Sequence, residues 1–220
     1  EEILQVLDNA RSLLPVAKGE VYLPLLQGKV LGNLFFENST RTRMSFETAM
    51  KRLGGEVLNL SSVGSSVSKG ETLYDTMQMV DGYADIAVIR HPNQGAAQYS
   101  ADAVEIPVLN GGDGAGNHPT QTMLDLFTIR EAHGSLEGLN VMMVGDLRYG
   151  RTTHSLSHAL VRFGAKITLV SPESLKMPDE IVSDLKNHGG DINETEEMSL
   201  SIDSADVIYM TRIQKERFPD

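Results

Sequence analysis

Short apolar runs alternate with helix-patterned stretches along nearly all of this chain. Strand-like runs occupy residues 31–36, 57–60, 86–89 and 107–109, and again 140–144, 166–170 and 207–210. Between them the spacing predicts helices over 42–53, 71–83, 119–133, 152–163 and 179–188. In 42–53, Phe46, Met50 and Leu53 share one face, and Gly54 and Gly55 stop the helix. Pro119 fits the first turn of its helix, where a missing N–H costs nothing. Ile3, Leu7, Ala10 and Leu14 add an amphipathic helix that ends near Pro15. Strand and helix in strict alternation imply parallel sheets covered on both faces. Gly134, Ser135 and Gly138 punctuate the pattern, so the reading is α/β, with two doubly wound parallel-sheet domains over 1–134 and 135–220. The second has only three evident strands and is expected to be incomplete, its natural chain continuing past Asp220.

Composition narrows the function. Thirty acidic and 19 basic side chains give a net charge of -11, which argues against a nucleic-acid partner. Any anion must be met by a few focused arginines and backbone amides. No apolar run approaches the ~18 residues that a membrane span needs. With no cysteine, disulfides, thiolate nucleophiles and Cys-based zinc sites are excluded. The first residues lack the pattern of a signal peptide and the initiator Met, so residues are expected to precede Glu1. The expected location is the cytoplasm. Sequons starting at Asn38, Asn59 and Asn193 are read as chance matches.

Ser39, Thr40, Arg41, Thr42 and Arg43 sit between an apolar strand and a helix. Open α/β sheets bind ligands where a strand ends and a helix begins. The first-turn N–H groups have no helical partner and carry partial positive charge. Three hydroxyls and two guanidiniums around them describe a phosphate or carboxylate site. One Ser-Thr pair here would be no more than a helix cap; all five residues together are not. No G-x-x-x-x-G-K-[ST] motif occurs, and neither 111–116 nor 144–146 completes G-x-G-x-x-G. That separates the phosphate from ATP and weakens a nicotinamide-dependent reading. His154 and His158 stand four apart but lack the H-E-x-x-H pattern and a third ligand, so no metal is expected. Met142 and Met143 read as core, His91 as shaping the turn that carries Arg90, and the acidic run 194–197 as a solvated helix start.

The segment from Phe36, Glu37 and Asn38 through Arg43 resembles the carbamoyl-phosphate signature of the aspartate and ornithine carbamoyltransferases. So do Arg90, His91 and Pro92, and likewise His118, Pro119, Thr120 and Gln121, in the family's order. Residues 66–71 are similar to the mobile loop of the aspartate branch. Residues 145–152 are similar to the start of its acceptor domain, and 209–218 to its second aspartate-binding segment. Ornithine enzymes need an acidic pocket for an amine, whereas Lys69, Arg151 and Arg212 are cationic. L-aspartate carries two carboxylates, and two guanidiniums can clamp both in fixed orientation. The family's later His-Pro-Leu-Pro segment does not occur in this sequence.

The resemblance implies transfer of the carbamoyl group of carbamoyl phosphate to L-aspartate, in pyrimidine synthesis, with no metal or organic cofactor. It implies that Ser39, Thr40, Arg41, Thr42 and Arg90 hold the phosphate, and that Arg41 offsets charge on the leaving oxygen. Thr42, Arg90 and His118 would hydrogen-bond the carbamoyl oxygen, and Gln121 the carbamoyl NH2. Arg151 would take the α-carboxylate, and Arg212 with Gln214 the side-chain carboxylate. Ser66 (or Ser65) and Lys69 would reach a neighbouring subunit's site, which implies a homotrimer with shared active sites. Regulatory chains as partners are left open. So are a different amino-acid acceptor and a non-catalytic chain that only binds carbamoyl phosphate.

Overall fold

The computed structural model describes residues 1–61, 65–114, 116–200 and 202–212. They form two compact units, Glu1–Thr120 and Gln121–Asp220.

The first unit is built on β1 (Val30–Phe35), β2 (Glu56–Ser61), β3 (Ile86–His91) and β4 (Val108–Asp113), all parallel, in spatial order β2-β1-β3-β4. The helices are α1 (Glu2–Ser12), α2 (Leu14–Lys18), α3 (Thr40–Arg52), α4 (Leu73–Asp81) and α5 (Ala96–Ala103). Alternation along the central strands shows why both faces are covered. Leu31 and Phe35 of β1 and Val88 of β3 pack with Met50 and Phe46 of α3. Leu34 of β1 and Ala87 and Ile89 of β3 pack with Met77 and Val80 of α4 and Ala97 of α5 on the other face. A two-residue period with both phases apolar cannot leave either face to water.

The second unit contains α6 (Pro119–His133, from Gln121 onward), β5 (Asn140–Val144), α7 (Arg151–Val161), β6 (Lys166–Val170), α8 (Asp179–Asn187), β7 (Asp191–Thr195) and β8 (Val207–Met210). Its parallel strand order is β7-β6-β5-β8. Val141, Met142 and Met143 of β5 are each 1% exposed or less, which confirms the two methionines as core. Full burial of such a side chain contributes about 1.5–3 kcal/mol.

Four elements depart from expectation. The second sheet has four strands, not three. The missing one, β7, has Ile192 as its lone apolar residue and lies on the sheet edge beside β6, where no apolar alternation is required. The acidic run is therefore not a helix start: Glu194 and Thr195 belong to β7, and Glu196 accepts a hydrogen bond from the Glu173 N–H at 3.0 Å. Helix α5, four alanines in eight residues, carries too weak a period to stand out. Pro15 does not close one long helix. The chain breaks at Leu13, and Pro15 occupies the first turn of α2.

Both sheets reverse winding direction at their centres. The chain moves from β1 outward to β2, then crosses back to place β3 on the other side of β1. In the same way it winds from β5 through β6 to β7 before β8 returns to the far side of β5. Connections after the two strands flanking such a reversal leave in opposite directions and open a crevice at the strands' C-terminal ends. Gly145 marks that point in the second unit. Its φ is 121°, and a Cβ there would lie 2.6 Å from the Thr211 carbonyl oxygen. We therefore expect Gly145→Ala to destabilise the protein by about 2–4 kcal/mol, combining backbone strain with a backbone clash. Urea unfolding that shows a loss under about 0.5 kcal/mol would contradict this close approach.

Candidate active site

The first unit gathers its polar residues where β1 and β3 end. The two strands are in register with Phe35 opposite Arg90, and the Phe36 N–H donates to the Arg90 carbonyl at 2.8 Å. Three residues later Ser39 precedes α3 with extended backbone (φ -158°, ψ 113°) and no side-chain cap hydrogen bond. The first turn of α3 contains no acidic residue, and Arg41 and Arg43 are exposed there. The sequence thus leaves a positive helix end whose N–H groups are not claimed by the Ser39 hydroxyl. Thr42 is half-buried and Thr40 exposed.

Arg90 is the centre of the cluster. Though charged, it is 8% exposed. Its Nη1 donates to the Gly111 carbonyl at 3.2 Å and faces His118 Nε2 at 3.3 Å, while Nη2 meets Glu37 Oε2 at 2.9 Å. A guanidinium only donates, so His118 accepts at Nε2. Its proton then sits on Nδ1, towards Thr120 Oγ1 at 3.4 Å. Gly112 makes room for this arrangement: its φ is 121°, and a Cβ there would lie 2.8 Å from Arg90 Nη1. Buried Asp113 steadies the following loop by accepting from the Gly95 N–H at 3.1 Å and the Asn117 N–H at 2.8 Å. His91 does shape its turn. Its Nδ1 accepts from the Asn93 N–H at 3.0 Å, and its ring packs edge-on against Phe36. Burial lowers its pKa, which favours the neutral ring that this contact needs. Ser66 and Lys69 are exposed, at either end of a short 3-10 turn.

In the second unit the equivalent strand ends carry Arg151 and Arg212. Asp146, fully buried, accepts from the Tyr149 N–H at 3.0 Å and closes the loop after β5. Gly150 then precedes α7, whose first residue is Arg151, 7% exposed. Arg212 is exposed, two residues beyond β8. Gln214 lies outside the described residues. Gln121, near the start of α6, donates from Nε2 to Asp125 Oδ1 at 3.0 Å, and Tyr209 OH donates to Asp125 Oδ2 at 3.1 Å. Burial pushes the Asp125 carboxyl up and the Tyr209 phenol up to about 12. His154 bonds the Leu147 carbonyl through Nε2 at 2.7 Å, and His158 meets Asp184 at 3.0 Å, so each has a protein partner. Among the described residues no group of three His, Cys, Asp or Glu side chains is placed to hold a metal ion.

The sequence reading did not assign Glu37, Asp113 or Asp125. Glu37 had a usable signal, since an acid two residues before an anion-binding motif needs a cationic partner. Asp125 had only its i, i+4 spacing from Gln121.

Two family descriptions match the chain: the carbamoyl-P binding domain of aspartate/ornithine carbamoyltransferase over residues 1–131, and the Asp/Orn binding domain over 137–219. The chain is 57% identical over 217 residues to the aspartate carbamoyltransferase catalytic subunit of Methanococcoides burtonii, covering 98% of this chain and 70% of that one. It is 53% identical to that of Archaeoglobus fulgidus, covering 100% and 73%. Among solved structures, the catalytic subunit of Methanocaldococcus jannaschii aspartate transcarbamoylase matches with TM-score 0.92 and 50% identity, covering 100% of this chain and 72% of its own. The Trypanosoma cruzi enzyme in complex with carbamoyl phosphate matches with TM-score 0.93 and 42% identity, covering 99% and 70%. On fold and sequence alike, this chain belongs to the aspartate/ornithine carbamoyltransferase family.

Proposed function

We propose that the protein is a catalytic chain that transfers the carbamoyl group of carbamoyl phosphate to the amino group of L-aspartate, giving N-carbamoyl-L-aspartate and phosphate. The observation that carries this reading is Arg90, buried at the end of β3 next to the strand that leads into the uncapped α3, and shared by Glu37, Gly111 and His118. The identity to aspartate carbamoyltransferase catalytic subunits supports the choice of acceptor. The matched domains, 1–131 and 137–219, support a carbamoyl-phosphate domain over 1–134 and an aspartate domain over 135–220.

In this reading Ser39, Thr40, Arg41, Thr42 and Arg90 bind the phosphate. The α3 amides and guanidiniums supply the charge that an acidic protein otherwise lacks. A phosphate dianion must compete with Glu37 for Arg90, which sets a threshold against weaker anions. The aspartate nitrogen attacks the carbamoyl carbon, the C–O bond to phosphate breaks, and phosphate leaves with that electron pair. The nitrogen loses a proton, and the departing phosphate, held by Arg41, takes it up. Charge that builds on the carbamoyl oxygen is met by Thr42, Arg90 and His118, fixed donors of a kind worth on the order of 3 kcal/mol each. For His118 Nε2 to donate, it must carry the proton and Arg90 must turn to the ligand, because in the free protein that nitrogen accepts. Gln121 accepts from the carbamoyl NH2. Arg151 takes the α-carboxylate, and Arg212 and Gln214 the other. Ser66 and Lys69 complete a neighbouring subunit's site in a homotrimer, and the exposure of both residues is in keeping with that. The setting is cytoplasmic pyrimidine synthesis, and attachment of regulatory chains is compatible with the reading.

Supplying carbamoyl phosphate with L-aspartate or L-ornithine tests the acceptor. Carbamoyl aspartate should form from the first and no citrulline from the second; citrulline as the main product would overturn the assignment. Site sharing has its own test. Lys69→Ala and Arg212→Ala should each be nearly inactive, and mixing the two after dissociation should restore activity, because some interfaces pair an intact Lys69 with an intact Arg212. No recovery despite demonstrated subunit exchange would mean that each site is built within one chain.

A further inference from the structure

Gln121, the helix that begins at Arg151 and the strand that precedes Arg212 are joined by a hydrogen-bonded chain that the reaction above does not use. Asp125 lies one turn after Gln121 on α6. Its Oδ1 accepts from Gln121 Nε2 at 3.0 Å, and its Oδ2 accepts from Tyr209 OH at 3.1 Å. The Tyr209 oxygen is in turn hydrogen-bonded by Thr152, next to Arg151 in α7. Tyr209 stands in β8, three residues before Arg212. All four groups belong to the second unit.

Both immediate neighbours of Asp125 donate to it, which is the pattern of an ionised carboxylate. Such a group accepts and never donates, so it decides which end of the Gln121 amide faces it. Nε2 is held towards Asp125, and the carbonyl Oε1 is turned the other way. An amide with no such neighbour has two orientations of nearly equal energy, one presenting an acceptor and the other a donor. Only the acceptor suits an NH2 group. The second bond, from Tyr209, holds the carboxylate itself in place, so the orientation does not depend on one contact alone.

We propose that Asp125 is a positioning residue: by fixing the Gln121 amide with Oε1 as the presented atom, it makes the enzyme select a carbamoyl phosphate over an acyl phosphate of the same shape. This rests on the reading of Gln121 as the group that meets the carbamoyl NH2. Acetyl phosphate is the discriminating probe, because a methyl group replaces the NH2 and leaves Oε1 without a donor. A site built to hydrogen-bond a group rejects the analogue that lacks it.

The experiment measures the affinity ratio of carbamoyl phosphate to acetyl phosphate, by calorimetry and by inhibition, in the wild type and in Gln121→Ala, Asp125→Ala and Tyr209→Phe. Loss of one such hydrogen bond predicts that Gln121→Ala and Asp125→Ala lower the ratio about five- to tenfold, and Tyr209→Phe about two- to threefold. Inorganic phosphate, which has no carbamoyl group, should bind all four proteins equally well. Asp125→Ala that weakens both ligands in equal proportion has a merely structural effect and overturns the proposal. If Gln121→Ala lowers the ratio and Asp125→Ala leaves it unmoved, the positioning role fails while the reading of Gln121 stands. If Gln121→Ala leaves it unmoved, that underlying reading fails, and the proposal with it. Should Asp125→Ala not fold, Tyr209→Phe decides: a lowered ratio upholds the proposal and an unchanged one refutes it.

Discussion

The adjacency of β1 and β3 is the constraint on which the first unit's chemistry depends. Parallel strands all end on the same edge of a sheet, and the reversal of winding between these two sends their following segments apart. The gap lies between the segment that leads into α3 on one side and Arg90, with Gly111 and His118 against it, on the other. The register of Phe35 with Arg90 converts that topology into a contact, since it brings Glu37 to the guanidinium. The second unit repeats the device with β5 and β8. There the close approach of Gly145 to Thr211 sets the spacing between the loop that leads to Arg151 and the one that leads to Arg212.

A buried arginine would be costly without partners, because desolvation of its charge is repaid only by well-placed acceptors. Glu37, the Gly111 carbonyl and His118 supply them in the free protein. The cost of holding a cation ready is thus met before substrate arrives, which is the physical content of preorganisation. The same logic holds for Asp125. Its burial is tolerated because Gln121 and Tyr209 both donate to it.

Much of this was legible in the sequence, for identifiable reasons. The central strands β1, β3, β5 and β6 are buried on both faces and so had to be apolar and continuous. The residues from Ser39 to Arg43 advertised an anion site because hydroxyls and guanidiniums were concentrated at one strand-to-helix junction. What escaped notice was structure that burial does not mark. Strand β7 is held by backbone pairing to β6 and needs little apolar surface. Helix α5 buries Ala96 and Ala97, which are too small to create a strong period. Glu37 and Asp125 owe their roles to partners 53 and 84 residues away, Arg90 and Tyr209, and no local pattern encodes such pairings.

The central claim is that each unit offers its own anion site at the strand ends where winding reverses, one for phosphate and one for a dicarboxylate. Amide chemical-shift mapping tests it directly, with inorganic phosphate and the unreactive dicarboxylate succinate added separately. Phosphate should move the amides of Ser39, Thr40, Arg41 and Thr42, of Arg90, and of Gly112, Asp113, Asn117 and His118. Succinate should move those of residues 145–152 and of Thr211 and Arg212. Phosphate shifts concentrated in the second set, or spread over both units without focus, would contradict the account.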